Sequence, residues 1–260
     1  MPLVNYSKDR GVAVFELHSP PANTYSYEMM KELDAAILDA RMDESIHVLV
    51  LTGAGEKFFC SGADINMLNR ATPVFKYAFC LHANETLNRL EQTPKLVIAA
   101  LNGHTVGGGL EVALAADLRV AKEEGGKFGL PEVKLGVLPG TGGTQRLGRL
   151  LGRSRAIELM ITGKLMGFEE ARSLGLVTAI LPAERFREGV LDYAAQFVPP
   201  QKASMAVGRI KRAVTSGLEG SLSEGLALER ELQQQLFQSS DAREGISAHV
   251  EKREPKFQGS

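Results

Sequence analysis

The sequence predicts an α/β protein with a largely buried sheet, followed by an all-helical C-terminal part. Three observations carry this expectation. Short runs rich in Val, Ile and Leu alternate with stretches of helical spacing through roughly the first 150 residues. Those runs are continuously apolar rather than alternating, as in strands covered on both faces. Beyond that point helical spacing dominates to the end of the chain.

The elements follow in order. Gly11 to Leu17 reads as a strand, and the turn Ser19-Pro20-Pro21 ends it. Ser26 then caps a helix whose Met29, Leu33, Ala36, Ile37 and Ala40 recur at helical spacing. Ile46 to Thr52 is a strongly apolar strand ending at Gly53-Ala54-Gly55, and Lys95 to Leu101 is another, left through Asn102-Gly103. Leu110 to Ala116 reads as a buried helix, followed by a short strand at Leu118 to Ala121. Ala156 to Thr162 and Phe168 to Leu174 are helical, stopped by Gly163 and Gly175. One more strand falls at Leu176 to Leu181, and helices follow at Phe186–Phe197, Ala203–Ser216, Leu222–Phe237 and Ala242–Glu251. Ser221-Leu222-Ser223-Glu224 is a capping-box pattern, and Asp241-Ala242-Arg243-Glu244 resembles one. No sequence repeat and no low-complexity linker is visible. The expected organisation is a core over residues 1–195 and a helical region over 196–260.

Composition excludes several classes. At 260 residues, 44% hydrophobic and 23% charged, the chain matches an ordinary globular protein with a substantial core. A net charge of −1 offers no global attraction to nucleic acid or an anionic membrane. Cys60 and Cys80 make no disulfide framework and have no metal-ligand spacing, which fits a reducing compartment. With no signal-peptide pattern and no membrane-spanning apolar run, the expectation is a cytoplasmic enzyme.

The chemistry concentrates in the middle. Val106-Gly107-Gly108-Gly109-Leu110-Glu111 and Phe128-Gly129-Leu130-Pro131-Glu132 each attach a glutamate to a glycine-rich or proline-marked turn. Three glycines opening a helix either let it pack closely on a sheet or bare its N–H groups to a developing negative charge. A P-loop is excluded because glycine stands where lysine is needed, and Gly140-Thr141-Gly142-Gly143-Thr144-Gln145 lacks the third glycine of a dinucleotide fingerprint. Ser61-Gly62-Ala63-Asp64-Ile65 reads as a turn with an Asp helix cap, or as a second loop whose Ala63 N–H faces Gly108. Glu111, in an apolar helix, is paired, turned outward, or held in a pocket with a perturbed pKa. Two carboxylates converging beside such a site place and deprotonate a water and return a proton to carbon. Arg146, Arg149, Arg153 and Arg155 form a basic cluster, the first three roughly on one helical stripe. It reads as a solvated face or subunit contact, with a phosphate- or RNA-binding face as the alternative. His104 reads as structural, Cys60 as a small buried hydrophobe, and Ser61 has no nucleophile-elbow context.

Taken together, these segments resemble the enoyl-CoA hydratase/isomerase (crotonase) family. The likeness rests on Cys60-Ser-Gly-Ala-Asp-Ile65, Asn102-Gly-His-Thr-Val-Gly-Gly-Gly-Leu-Glu111, Phe128-Gly-Leu-Pro-Glu132 and the stretch from Leu135 to Leu147. Glu244 to Arg253 also looks like the family's C-terminal helix. The resemblance implies a crotonase-like ββα superhelix core with a helical C-terminal trimerisation region, assembling as a homotrimer or homohexamer. It implies an acyl-CoA thioester substrate of the kind met in fatty-acid β-oxidation, and no cofactor beyond the coenzyme A of the substrate. By motif position the N–H groups of Ala63 and Gly108 hold the thioester oxygen, while Glu111 orients and activates water and Glu132 exchanges the proton at C2. Ala22, Lys57, Ala63, Asp64, Ile65, Leu130 and Lys252 are the implied substrate and CoA contacts, Lys252 reaching a neighbouring subunit. Glutamates at both positions point to hydration of a 2-enoyl-CoA. The alternatives are Δ3-Δ2-enoyl-CoA isomerisation, hydration of a branched or carboxylated enoyl-CoA such as 3-methylglutaconyl-CoA, or a weakly catalytic RNA-binding or assembly protein. The chain departs from the pattern at Pro21 and Asn66, where hydratases often carry CoA-binding lysines, and at His249, often aromatic. The loop expected from Asn66 to His82 shapes the acyl pocket in that family.

Overall fold

The computed structural model describes all 260 residues. It contains a six-stranded sheet in the order β1-β2-β3-β5-β7-β9 and a three-stranded sheet in the order β4-β6-β8. Strands β1 (Val4–Asp9) and β2 (Val12–Leu17) pair antiparallel. All later pairings are parallel, through β3 (Val48–Gly53), β5 (Leu96–Leu101), β7 (Leu118–Lys122) and β9 (Ala179–Leu181) in the large sheet. The small sheet holds β4 (Phe58–Cys60), β6 (His104–Val106) and β8 (Phe128–Gly129).

The path of the chain explains the pairing. From β3 it passes to β4, then to the helices α2 (Ile65–Arg70) and α3 (Pro73–Gln92). From β5 it passes to β6 and α4 (Gly108–Leu114), and from β7 to β8, a 3₁₀ turn (Glu132–Leu135) and α5 (Gly143–Leu151). Each circuit lays one strand on the large sheet, one on the small sheet and a helical segment outside. The expected ββα superhelix is present, although no repeat is visible in the sequence.

Helix α1 (Tyr27–Met42) starts where expected: the Ser26 hydroxyl accepts from Met29 N at 3.3 Å, and Met29, Met30, Leu33, Ala36, Ile37 and Ala40 are buried. The strands of the large sheet are apolar on both faces. Ala13, Phe15, Leu49, Leu51, Val97, Ala99 and Leu101 face the interior shared with α1, α3 and α4. Val12, Val14, Val48, Val50, Ile98 and Val120 face the opposite side, under α8 (Phe186–Ala195). Each buried aliphatic side chain there contributes about 1.5–3 kcal/mol of transfer free energy.

The remaining helices are α6 (Arg153–Thr162), α7 (Phe168–Ser173), α9 (Ser204–Gly217), α10 (Leu222–Phe237) and α11 (Ser240–Glu251). A buried ion pair docks α9 on the sheet: Lys211 Nζ lies 2.9 Å from Asp117 Oδ2 and donates to Lys95 O. Asp117 also accepts from Val97 N, so all three groups are satisfied. The capping box at Ser221 and Glu224 is formed. The second expected box is not. Ser239 caps α11 instead, Asp241 is buried and accepts from Gln258 N and Gly259 N, and Glu244 pairs with Arg253. The returning C-terminal tail takes these carboxylates, and only tertiary contact supplies it.

Three further differences have physical causes. Residues 66–82 are not a loop: α2 covers their start, and α3 begins at Pro73 behind the Thr72 cap. The short strands β4, β6 and β8 span two or three residues, too few to display a period. The edge strand β1 escapes a hydrophobic reading because Val4 is its only buried residue.

Candidate active site

The site is built where α4 leaves the small sheet. Gly107 takes a φ of 57°, and Gly108 starts α4. A Cβ on Gly108 would run into the Tyr25 ring, and one on Gly109 into the Cys60 carbonyl. Both expectations for the triple glycine therefore meet here: it packs closely, and it leaves the first N–H groups of α4 without intrahelical acceptors.

The turn after β4 comes alongside. Gly62 has a φ of 97°, and a Cβ there would sit 2.9 Å from Gly108 N. Ala63 forms a parallel bridge with Tyr25. Tyr25 N donates to Gly62 O at 2.9 Å and Asp64 N donates to Tyr25 O at 3.0 Å, while the Ala63 N–H between them donates to no backbone carbonyl. Two free N–H groups from separate loops are thus adjacent.

Glu111 is buried, with 2% of its surface exposed. Its Oε1 accepts from Thr141 N and Gly143 N, both at 2.7 Å. Burial raises the Glu111 pKa, and these two N–H groups oppose the rise by favouring the anion. Glu132 projects from the 3₁₀ turn so that its Oε1 lies 3.2 Å from where a Cβ on Gly107 would be. Its Oε2 is buried without a hydrogen-bond partner. Burial first, and the Glu111 charge beside it, push the Glu132 pKa up to about 7, against its own backbone N–H. Two carboxylates, one anchored and one poised near neutrality, face one helix start.

The other candidates are placed as follows. Ala22 O accepts from Ser61 N at 3.1 Å, which stitches it to the Gly62–Ala63 turn. Asp64 caps α2, accepting from Asn66 N at 2.8 Å, and Ile65 beside it is 56% exposed. Leu130 is buried two residues before Glu132. Lys57 is exposed over the Phe58 ring. Lys252 ends α11 in the C-terminal helical part, on none of the elements that carry the glutamates.

His104 is structural, its Nδ1 accepting from Lys127 N at 2.9 Å. Cys60 is fully buried, and burial pushes its thiol up to about 12. The arginine stripe breaks at Gly152, which separates α5 from α6. Arg146 turns inward to Glu91 at 2.9 Å and to Asn88, Arg149 faces Glu219, and Arg153 and Arg155 lie on the next helix.

Two residues outside the sequence expectations hold the site. The Tyr25 hydroxyl lies 3.0 Å from Thr141 Oγ1 behind Glu111, and no motif marks it. The buried Asn102 amide donates to Gly53 O and Gly55 O and accepts from Gly53 N, pinning the end of β5 to the β3–β4 loop. The sequence marks it only as an Asn-Gly turn and as the first residue of the Asn102–Glu111 stretch. A cleft of about 770 Å³ opens on the far side of the large sheet, between Glu16 and α8, and contains neither glutamate.

The chain is similar over nearly its whole length to proteins of one family. The enoyl-CoA hydratase/isomerase family model matches residues 7–260. The short-chain-enoyl-CoA hydratase of Clostridium acetobutylicum is 36% identical over 247 residues, covering 95% of this chain and 94% of that one. The crystal structure of an enoyl-CoA hydratase from Geobacillus kaustophilus superposes with a TM-score of 0.97 at 47% identity, covering 100% of this chain and 98% of the other. That of the Bacillus anthracis enoyl-CoA hydratase gives 0.92 at 33%, covering 99% and 100%. With this match over nearly its whole length, the chain is an enzyme that belongs to the enoyl-CoA hydratase/isomerase family and has the crotonase fold.

Proposed function

We propose that the enzyme reversibly hydrates a 2-trans-enoyl-CoA to the 3-hydroxyacyl-CoA. The observation that carries this reading is the unequal pair: an anchored Glu111 and a Glu132 titrating near neutrality, both beside the N–H groups of Gly108 and Ala63. The thioester oxygen sits between those two donors, and their bonds strengthen as it gains enolate charge. Glu111, oriented by Thr141 N and Gly143 N, which favour its anion against burial, takes a proton from water as its oxygen bonds to C3. The C2–C3 π electrons move toward the thioester oxygen, and protonated Glu132 delivers its proton to C2. The proton left on Glu111 then returns to Glu132 through solvent, which restores the pair, and dehydration is the same sequence reversed.

Ala22, Asp64, Ile65 and Leu130 line the approach to this site, with Lys57 and a neighbouring copy's Lys252 meeting CoA phosphates. The reading needs no cofactor beyond the coenzyme A carried by the substrate. Exposed Ile210, Val214, Leu218, Leu222, Phe237, Ile246 and Val250 on the C-terminal helices support a homotrimer or homohexamer. No helix is long and apolar enough to cross a membrane, and we assign the enzyme to the cytoplasm. An isomerase needs only one carboxylate on the carbon skeleton. An RNA-binding role loses its main support because Arg146 is occupied by Glu91.

The test is spectrophotometric. Crotonyl-CoA and longer 2-enoyl-CoAs should lose conjugated absorbance with wild type and keep it with Glu111→Gln and Glu132→Gln. Undiminished hydration by either variant removes that residue from the mechanism. Absence of turnover with every enoyl-CoA overturns the proposal.

A further inference from the structure

Helix α3 presents one row of side chains, four residues apart, to the loop that holds Glu111. Asn88 accepts from Arg146, Asn84 Oδ1 lies 3.6 Å from the Cβ position of Gly142, and Cys80 Sγ lies 3.3 Å from that of Gly140. Lys76 continues this row one turn nearer the start of α3, about 5.4 Å further along the axis. Its Nζ lies 5.6 Å above the Phe79 ring, which packs against Tyr25. Lys76 is half-buried and has no carboxylate within 4.0 Å.

The surroundings are equally one-sided. Residues 65–84 carry Arg70 and Lys76 and not one Asp or Glu, in a chain whose net charge is −1. The first turn of α3 has no acidic residue to offset the positive end of its dipole. Around these cations stand exposed apolar side chains, among them Ile65, Val74, Phe75 and Leu81. Lys76 also acts on both Glu111 and Glu132, drawing each toward the ionised form. A cation that acts on both carboxylates stands on their side of the molecule, near the carbons they serve. The CoA phosphates lie a pantetheine arm away from those carbons.

We propose that Lys76 is a specificity-determining residue, selecting 2-enoyl-CoA substrates whose acyl chain ends in a carboxylate. The inference rests on the hydratase reading above. The thioester sits at Gly108 and Ala63, C2 and C3 at the glutamates, and the far end of a short chain meets Lys76. A terminal carboxylate supplies the missing partner for this ammonium, while the apolar walls accept the methylenes.

The experiment compares glutaconyl-CoA, a five-carbon 2-enoyl-CoA ending in a carboxylate, with the neutral 2-hexenoyl-CoA. Wild type should favour the carboxylated substrate in kcat/KM. Lys76→Met should lower that preference, read as the ratio of kcat/KM for the carboxylated to the neutral substrate, about ten- to a hundredfold, the size of one charge-assisted hydrogen bond. Lys76→Arg should retain the preference. Wild type that hydrates 2-hexenoyl-CoA without favouring glutaconyl-CoA overturns the inference and leaves the hydratase reading intact. Equal losses on both substrates in Lys76→Met also overturn it, as does weakened binding of free CoA, which assigns the cation to phosphate. No hydration of either substrate is the failure of the hydratase reading itself.

Discussion

The helix start at Gly108 and the 3₁₀ turn at Glu132 present the same side chain in two different states. Glu111 stands on a buried helix and receives two N–H donors from the Thr141–Gly143 loop. Glu132 stands on a four-residue turn whose other side chains are exposed, and one of its oxygens is buried without a partner. Backbone donors fix the first in one orientation and favour its anion against the pull of burial. Burial beside that anion holds the second near its titration point. Residue type alone does not divide acid from base here. On the hydratase reading, the N–H groups that favour one anion and the unpartnered oxygen of the other do.

The largest expected effects separate the two positions. Glu111→Gln and Glu132→Gln should each lower kcat by about 10²–10⁴. Their stabilities should part. In Glu111→Gln the new amide turns a donor toward a cradle of N–H groups or leaves one donor unpaired, costing about 1–3 kcal/mol. At Glu132 the folded pKa lies above the free value of 4.5, so the ionised carboxylate is the strained form. Wild type has its full stability below about pH 4.5 and loses part of it as the pH rises through about 7. Glu132→Gln should therefore be more stable than wild type at pH 8, by on the order of 1–2 kcal/mol after solvent screening, and match it at pH 4. Urea titrations at both pH values check this.

Next comes Gly143→Ala. Its Cβ would stand 2.9 Å from Pro139 Cβ and 3.0 Å from Glu111 Oε1, displacing the anchored carboxylate and not the free one. We expect kcat to fall about ten- to a hundredfold with Glu132 still titrating. A variant with unchanged kcat would show that the cradle does not position Glu111.

The pH dependence follows from the same asymmetry. Both directions draw on the singly protonated glutamate pair, and their ratio is an equilibrium constant that no proton enters, so kcat/KM for hydration and for dehydration should decline together above about pH 7. The decline approaches tenfold per pH unit. A kcat/KM that stays level from about pH 6 to about pH 9 would take the acid role from Glu132. The smallest expected effect is Tyr25→Phe, which removes the hydroxyl 3.0 Å from Thr141 Oγ1. The Thr141 backbone N–H still reaches Glu111, so a loss of only a few-fold in kcat is expected.

Legibility of the fold and of the site depends on how local the controlling interactions are. The strands at Val48–Gly53 and Leu96–Leu101 are evident because burial on both faces makes every position but Thr52 apolar. Ser26 and the Ser221–Glu224 box mark helix starts because capping acts within three residues. The start of α3 was hidden because its exposed side chains, Val74, Phe75, Tyr77 and Leu81, are as apolar as its buried ones, and the arginines lost their common stripe to the break at Gly152.

By itself, then, the sequence determined the alternation of strands and helices, the two glutamates on their turns, and the glycines that let α4 approach Tyr25 and Cys60. Tertiary structure alone decided that Gly62 meets Gly108 N, that Thr141 and Gly143 hold Glu111, and that Tyr25 stands behind it. The reason is distance along the chain. Tyr25 and Thr141 are 116 residues apart, and their contact comes from how successive ββα circuits stack, which no local pattern encodes.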